Sequence, residues 1–180
     1  MIVLAGASAS GKTEVAKILA RDYKIIKVIT TTTRPIRINE VDGKDYFFVS
    51  AEKFDDMLQE DLFVEYTVYN GNLYGSTKDQ IQDNKCIIVD PLGLKAYIEL
   101  NNPNIVSFYL DSKEKTRYQR MLSRGDKLED VKKRIINDRL AFKKSAVSKV
   151  DHIIDSEDVT LDELAKEIYT KYIETLNSRK

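Results

Sequence analysis

At 180 residues the chain has the length of one ordinary domain, large enough to bury a real core. Hydrophobic residues make up 42% and charged residues 32%, with 29 basic against 29 acidic side chains, which excludes a disordered chain and argues against general nucleic-acid binding. No apolar run approaches the ~20 residues that cross a bilayer, the first residues lack the basic flank of a secretory leader, and the one cysteine suits a reducing compartment, so a cytoplasmic protein without membrane contact is expected.

The chain opens on an apolar run at 2–4 that predicts a buried strand. Gly6, Ala7, Ser8, Ala9, Ser10, Gly11, Lys12 and Thr13 follow, a glycine, four residues and then Gly-Lys-Thr, which is the P-loop pattern. The two glycines let the loop curl until its backbone N–H groups face a bound phosphate. A helix predicted over 14–23, with Val15, Ile18 and Leu19 on one stripe, adds the positive end of its dipole. Lys12 then lies on the β- and γ-phosphates, and the Thr13 hydroxyl is a ligand for Mg2+. The motif stands between a strand and an amphipathic helix, as that chemistry requires, so nucleoside triphosphate binding is expected.

A second apolar run at 25–29 predicts another strand, after which residues 31–82 break the rhythm. A strand is expected over 46–49, then a short helix capped by Ser50 and carrying Phe54 and Leu58. Phe63–Tyr69, the turn residues Asn70 and Gly71, and a strand over 72–74 read as a tight β-hairpin. The run 86–89 is a third core strand, in which Cys86 reads as a buried small hydrophobe. Asp90, directly behind it, has the position of a carboxylate that would hold the metal, although a turn residue before Pro91 is also a sufficient reading.

A helix over 94–100 stops before Asn101, Asn102 and Pro103, and strands are expected at 105–110 and 152–154. Between these two lies a helical stretch, 112–149, that holds five arginines. Thr160 and Glu163 have the spacing of a capping box, ahead of an apolar stripe of Leu161, Leu164, Ile168, Tyr172 and Leu176. Alternating strands and helices predict a three-layer αβα fold around a central parallel sheet. The expected division of this single domain is a core of 1–30, 83–111 and 150–180, a strand-rich insertion of 31–82, and a helical segment of 112–149.

The single histidine, His152, excludes a zinc cluster and a Ser-His-Asp site, and receives no role. Seven of the nine arginines fall in two groups, Arg34 and Arg37, then Arg117, Arg120, Arg124, Arg134 and Arg139, which suggests two places where phosphates sit. A solvated helix face with ion pairs is the alternative, and it suits at least Arg117.

The stretch 31–49, with Thr31, Arg34, Arg37, Glu40, Gly43 and Tyr46, resembles the monophosphate-binding segment of guanylate kinases, a family of P-loop nucleoside monophosphate kinases. So do Phe63, Val64, Glu65 and Tyr66, followed by Gly71, Tyr74, Gly75 and Ser76. With the P-loop, Arg124-Gly125 and the stretch 152–155, the resemblance runs over nearly the whole chain in order. It implies magnesium-dependent transfer of the γ-phosphate of ATP to GMP, and to dGMP as well, by a monomer or homodimer.

The same resemblance implies that Arg34, Arg37, Tyr46 and Tyr74 clamp the acceptor phosphate, with Thr31 nearby, and that 31–82 binds the acceptor. It implies that Glu65 and Ser76 read guanine: an ionised carboxylate only accepts, and guanine offers two adjacent N–H donors that adenine lacks. Phe63 and Glu65 would share the face of the hairpin turned toward that ligand. Arg120, Arg124 and Arg134 match the arginines of a lid, 112–149, and form the catalytic set with Lys12 and Arg34. Arg139 belongs either to that group or to an ion pair on its own helix.

The chain departs from the family pattern at Ala9 and Asn39, where glycines are usual, and asparagine also tolerates a left-handed φ. It lacks the first of two aspartates before Asp90, and the step from Arg124 to Arg134 is one residue short. Two other readings remain open on the residues: the same fold acting on another nucleotide or a ribose phosphate, and a guanylate-kinase-like binding module that does not catalyse.

Overall fold

A computed structural model describes residues 1–142 and 149–179; residues 143–148 of the expected lid, and Lys180, lie outside the described residues. In chain order the strands are β1 (Ile2–Ala5), β2 (Ile26–Lys27), β3 (Thr31–Thr32), β4 (Phe47–Phe48), β5 (Phe63–Tyr69), β6 (Asn72–Thr77), β7 (Lys85–Ile88), β8 (Val106–Asp111) and β9 (His152–Asp155). The helices are α1 (Lys12–Tyr23), α2 (Ala51–Gln59), α3 (Pro91–Glu99), α4 (Glu114–Ser123), α5 (Leu128–Ala141) and α6 (Leu161–Ser178).

Among the described residues five strands form a parallel sheet in the order β2-β7-β1-β8-β9. Its central strand β1 is buried on both faces, which is why its sequence is a continuous apolar run rather than an alternating one. Ile2 and Leu4 point into one layer with Val15, Leu19, Leu164 and Ile168 from α1 and α6. Val3 and Ala5 point into the other layer, with Leu94 and Tyr97 from α3. The αβα sandwich of the sequence reading is therefore present. One strand is shorter than expected: Ile25 and Val28 are buried, but the paired residues Ile26 and Lys27 are exposed, because β2 is an edge of the sheet.

The segment between β2 and β7 builds a second sheet, ordered β4-β3-β6-β5. Its hairpin turns on Asn70 and Gly71, with φ of 48° and 75°, the paired positive angles of a two-residue turn. Ser50 caps α2 by accepting from the Lys53 N–H at 3.1 Å. Phe54 of α2 stacks on Phe63 at 4.4 Å, and so covers one face of this sheet.

Register decides what lies on the other face. Phe63 pairs with Thr77, but Glu65 pairs with Ser76, so a bulge interrupts β5 between them. Directly opposed residues share a face, which groups Glu65 with Ser76, and with Tyr74 two residues earlier on β6. Phe63 belongs to the face of Thr77 and Gly75. Phe63 and Glu65 therefore do not share a face, and strict alternation misreads them because of the extra residue at Val64.

Candidate active site

The P-loop connects β1 to α1 and is held in shape by sterics. Gly6 has a φ of 152°, and a Cβ there would come within 2.7 Å of the Leu110 carbonyl oxygen and 2.8 Å of Ser10 Oγ. Gly11, at φ 102°, is the N-cap of α1 and supplies no side-chain bond to the first turn, so the amides of that turn are left for an anion. Ala9 also takes a left-handed φ, 62°, which costs an L residue roughly 1–2 kcal/mol. Asn39 does the same at 73°, as its side chain allows.

Lys12 Nζ donates to the carbonyls of Gly6 at 2.6 Å and Ala7 at 2.9 Å, and to Ser10 Oγ at 3.4 Å. These acceptors hold the ammonium inside its own loop. Burial brings its pKa down to about 8, with the Asp138 carboxylate opposing that shift and Arg117 adding to it. Thr13 is exposed on the first turn of α1. Beside the loop a cavity of about 370 Å³ is lined by Ser10, Gly11, Lys12, Thr13, Arg120, Arg124, Ser156 and Val159, among others. Larger hollows of about 430 and 860 Å³ run along α3, but no P-loop residue lines them. The smaller cavity is the one where loop amides, lysine and arginines converge.

Arg120 binds the Ser156 carbonyl at 2.8 Å and the Ala9 carbonyl at 3.3 Å, spanning the cavity's rim. Arg124 and Arg134 meet on Asp126, at 2.5 Å and 3.3 Å, and both remain half exposed. Hydrogen bonding to Arg124 holds the Asp126 carboxyl below its ordinary range. Arg120 and Arg124 thus line the cavity, whereas Arg134 faces Asp126. Arg139 pairs with Glu114 of α4 at 2.6 Å and not within its own helix.

Arg117 is not the solvated residue suggested by its place in a charged helix. It is 6% exposed and bonds Asp138 of α5 at 2.8 Å, and Asp138 accepts from the Ser8 N–H at 2.9 Å. Neither Asp138 nor this link could be read from motif or period.

On the second sheet Ser76 Oγ donates to Glu65 Oε1 at 2.6 Å, and the Tyr97 hydroxyl donates to Ser76 Oγ at 3.0 Å. Desolvation pushes the Glu65 carboxyl above its usual range, the Asp90 charge adds to the rise, and the Ser76 bonds oppose it. Arg34 lies over the Tyr46 ring at 5.3 Å and binds Glu40 at 2.7 Å, while Tyr46 meets Tyr74 edge-on at 6.0 Å. Arg37 is exposed, and its backbone N–H donates to Glu40 at 2.8 Å. Thr31 pairs with Gly75 and Thr32 with Tyr74, so Thr32, not Thr31, is on the face of Glu65 and Ser76.

Asp90 is the N-cap of α3 and accepts from the Gly93 N–H at 2.8 Å. Cys86 is fully buried, with its thiol pushed up to about 12 by desolvation, as its apolar surroundings predict. His152 bonds Thr175 at 2.7 Å and stacks on Phe108 at 5.1 Å, a packing position.

A guanylate kinase of Novosphingobium aromaticivorans is 43% identical over 84 residues, 46% of this chain and 38% of that protein. One of Prochlorococcus marinus is 33% identical over 184 residues, 97% of each chain. The crystal structure of guanylate kinase from Anaplasma phagocytophilum has the same fold, with a TM-score of 0.65 at 22% identity over 97% of this chain and 84% of that one. The family model described as guanylate kinase matches residues 1–174, and on that match, together with the P-loop geometry, the chain belongs to the guanylate kinase family.

Proposed function

We propose that the protein transfers the γ-phosphoryl group of ATP to GMP, and to dGMP, yielding ADP and the nucleoside diphosphate. The observation that carries the choice of acceptor is the Glu65–Ser76 pair, a carboxylate edge that accepts from guanine N1–H and its 2-amino group. The core, 1–30, 83–111 and 150–180, binds ATP, the insertion 31–82 takes the acceptor, and 112–149 acts as lid.

ATP phosphates seat on the amides of residues 6–13, and Lys12 leaves the Gly6 and Ala7 carbonyls for the β- and γ-oxygens. Arg34, Arg37, Tyr46 and Tyr74 hold the acceptor phosphate, with Glu40 bracing Arg34. An oxygen of that phosphate attacks the γ-phosphorus in line, the bond to the β–γ bridging oxygen breaks, and ADP departs with its electron pair. The acceptor is already a dianion, so no protein base is required. Charge in the loose transition state lies on the phosphoryl oxygens, where Lys12, Arg34, Arg120 and Arg124 act, joined by Arg134 once it leaves Asp126. Closure of the lid excludes water and limits hydrolysis of ATP.

Among the described residues no cluster of three or more His, Cys, Asp or Glu could hold a metal alone. A magnesium ion that arrives with the phosphates needs only one or two protein oxygens, and the exposed Thr13 hydroxyl fits that need. Asp90 fits less well, since one of its oxygens already caps α3. When bound, the ion neutralises phosphate charge. No described helix is long and apolar enough to cross a membrane, and with one buried cysteine we assign the protein to the cytosol, as a monomer or homodimer.

The test offers GMP, dGMP, AMP, CMP and UMP in turn to the protein with magnesium-ATP and follows ADP. Turnover confined to the guanine nucleotides supports the proposal, and equal turnover with AMP overturns it. Turnover with none, while ATP still binds, points to another phosphorylated acceptor. Glu65→Ala is expected to raise the KM for GMP and loosen base selectivity.

A further inference from the structure

We propose that Asp138, paired with Arg117, is a positioning residue for the donor phosphates: it grips Ser8 by its N–H and its hydroxyl, and so holds the P-loop in its phosphate-binding shape before ATP arrives. The proposal rests on the reading of residues 6–13 as the seat of those phosphates.

Asp138 of α5 is 9% exposed and Arg117 of α4 is 6% exposed. One oxygen of Asp138 accepts from the Ser8 N–H at 2.9 Å, and the other accepts from Ser8 Oγ at 3.2 Å. Arg117 donates to Asp138 at 2.8 Å and to the Ser8 carbonyl at 3.4 Å, while its Nε donates to the Ser112 carbonyl at 3.2 Å. The backbone N–H, backbone carbonyl and hydroxyl of Ser8 are therefore all engaged from α4 and α5. A bare carboxylate at this place would oppose a phosphate, but the guanidinium against it makes the brace neutral.

The residue after Ser8 shows why the loop needs holding. Ala9 has a φ of 62°, a left-handed angle that a glycine takes freely and an alanine does not. Such an angle persists where the surroundings fix it from several sides. The Ser10 N–H donates to the Ala7 carbonyl at 3.2 Å across the turn, and Arg120 donates to the Ala9 carbonyl at 3.3 Å. Ala9 also packs against the cluster of Met121, Val131 and Ile135 between α4 and α5. With Ser8 released, the chain on one side of Ala9 is free to turn, and the loop leaves the phosphate-binding shape for most of the time. Apparent affinity falls by the fraction of molecules that keep it.

The test replaces the pair with Arg117→Leu and Asp138→Leu together, which removes the brace without changing net charge or stranding a buried ion. Calorimetry with magnesium-ATP in the absence of GMP should show Kd rising about five- to thirtyfold, the population penalty of a left-handed alanine. The KM for GMP and kcat, both at saturating ATP, should stay within about twofold. Ala9→Gly in the doubly substituted protein should recover several-fold of the lost ATP affinity, and no recovery overturns the link to Ala9. A role confined to stability would lower Tm and leave Kd for ATP at the wild-type value, which overturns the proposal. Amide exchange followed by NMR on the wild type tests the same brace if the doubly substituted protein folds poorly. The Ser8 N–H should be protected in the free protein and gain nothing from ATP, while the amides of Gly11, Lys12 and Thr13 slow on ATP binding. A Ser8 amide that exchanges freely until ATP is added overturns the role of Asp138. Failure of the wild type itself to bind ATP would instead overturn the reading of the P-loop.

Discussion

The Asp138 carboxylate accepts a hydrogen bond at 2.9 Å from the backbone N–H of Ser8, inside the P-loop. Its other oxygen accepts from Ser8 Oγ at 3.2 Å, and Arg117 closes the group by binding Asp138 at 2.8 Å and the Ser8 carbonyl at 3.4 Å. Helices α4 and α5 are thereby tied to the P-loop.

Removal of one partner should be costly, because it strands a buried charge. Asp138→Ala is expected to lose about 3 kcal/mol, which for a chain of this size lowers Tm by about 6–12 °C. Arg117→Leu combined with Asp138→Leu should lose less than the sum of the single substitutions. Urea unfolding of the four proteins measures that coupling, and strict additivity would show that the pair does not interact.

Lys12 predicts a proton linkage. Its pKa is lowered to about 8 in the free protein, mainly by burial, and phosphate oxygens will raise it. Above pH 8 the free protein has lost a proton that the complex retains, so ATP binding takes one up and affinity falls as pH rises. Calorimetry at pH 9 in two buffers of different ionisation enthalpy should show uptake approaching one proton. Lys12→Ala should abolish both the uptake and the turnover while the fold survives.

Gly75 gives the second sheet its own test. A Cβ there would lie 2.6 Å from Phe63 Cδ1, and Phe63 cannot retreat because it stacks on Phe54. Gly75→Ala should destabilise by about 1–3 kcal/mol and raise the KM for GMP. Affinity for ATP, measured separately, should hold.

The capping box at α6 opens at Thr160, between Val159 and Leu161, which line the cavity beside the P-loop. Thr160 accepts from the Glu163 N–H at 3.2 Å, and Glu163 accepts from the Thr160 N–H at 2.9 Å. Thr160→Ala should cost about 1 kcal/mol, or about 2–4 °C in Tm, with the KM for GMP unchanged.

What could be read from the residues alone is what neighbours along the chain decide. Gly6 to Thr13 announce a phosphate loop, Asn70 and Gly71 a two-residue turn, and Thr160 with Glu163 a helix start, because each rests on local φ angles and on donors within one turn. The continuous apolar runs likewise specify a sheet covered on both faces.

Tertiary structure alone decided which side chains meet across long separations. The bulge at Val64 sends Phe63 and Glu65 to opposite faces, and register puts Thr31 behind the sheet. Arg117 looks like one charge among many on α4 until Asp138 and Ser8 surround it, and Tyr97 looks like core until its hydroxyl finds Ser76. Local rules carry the backbone's angles and the period of burial, but a hydrogen bond between distant residues depends on how layers pack, and packing has no short-range signature.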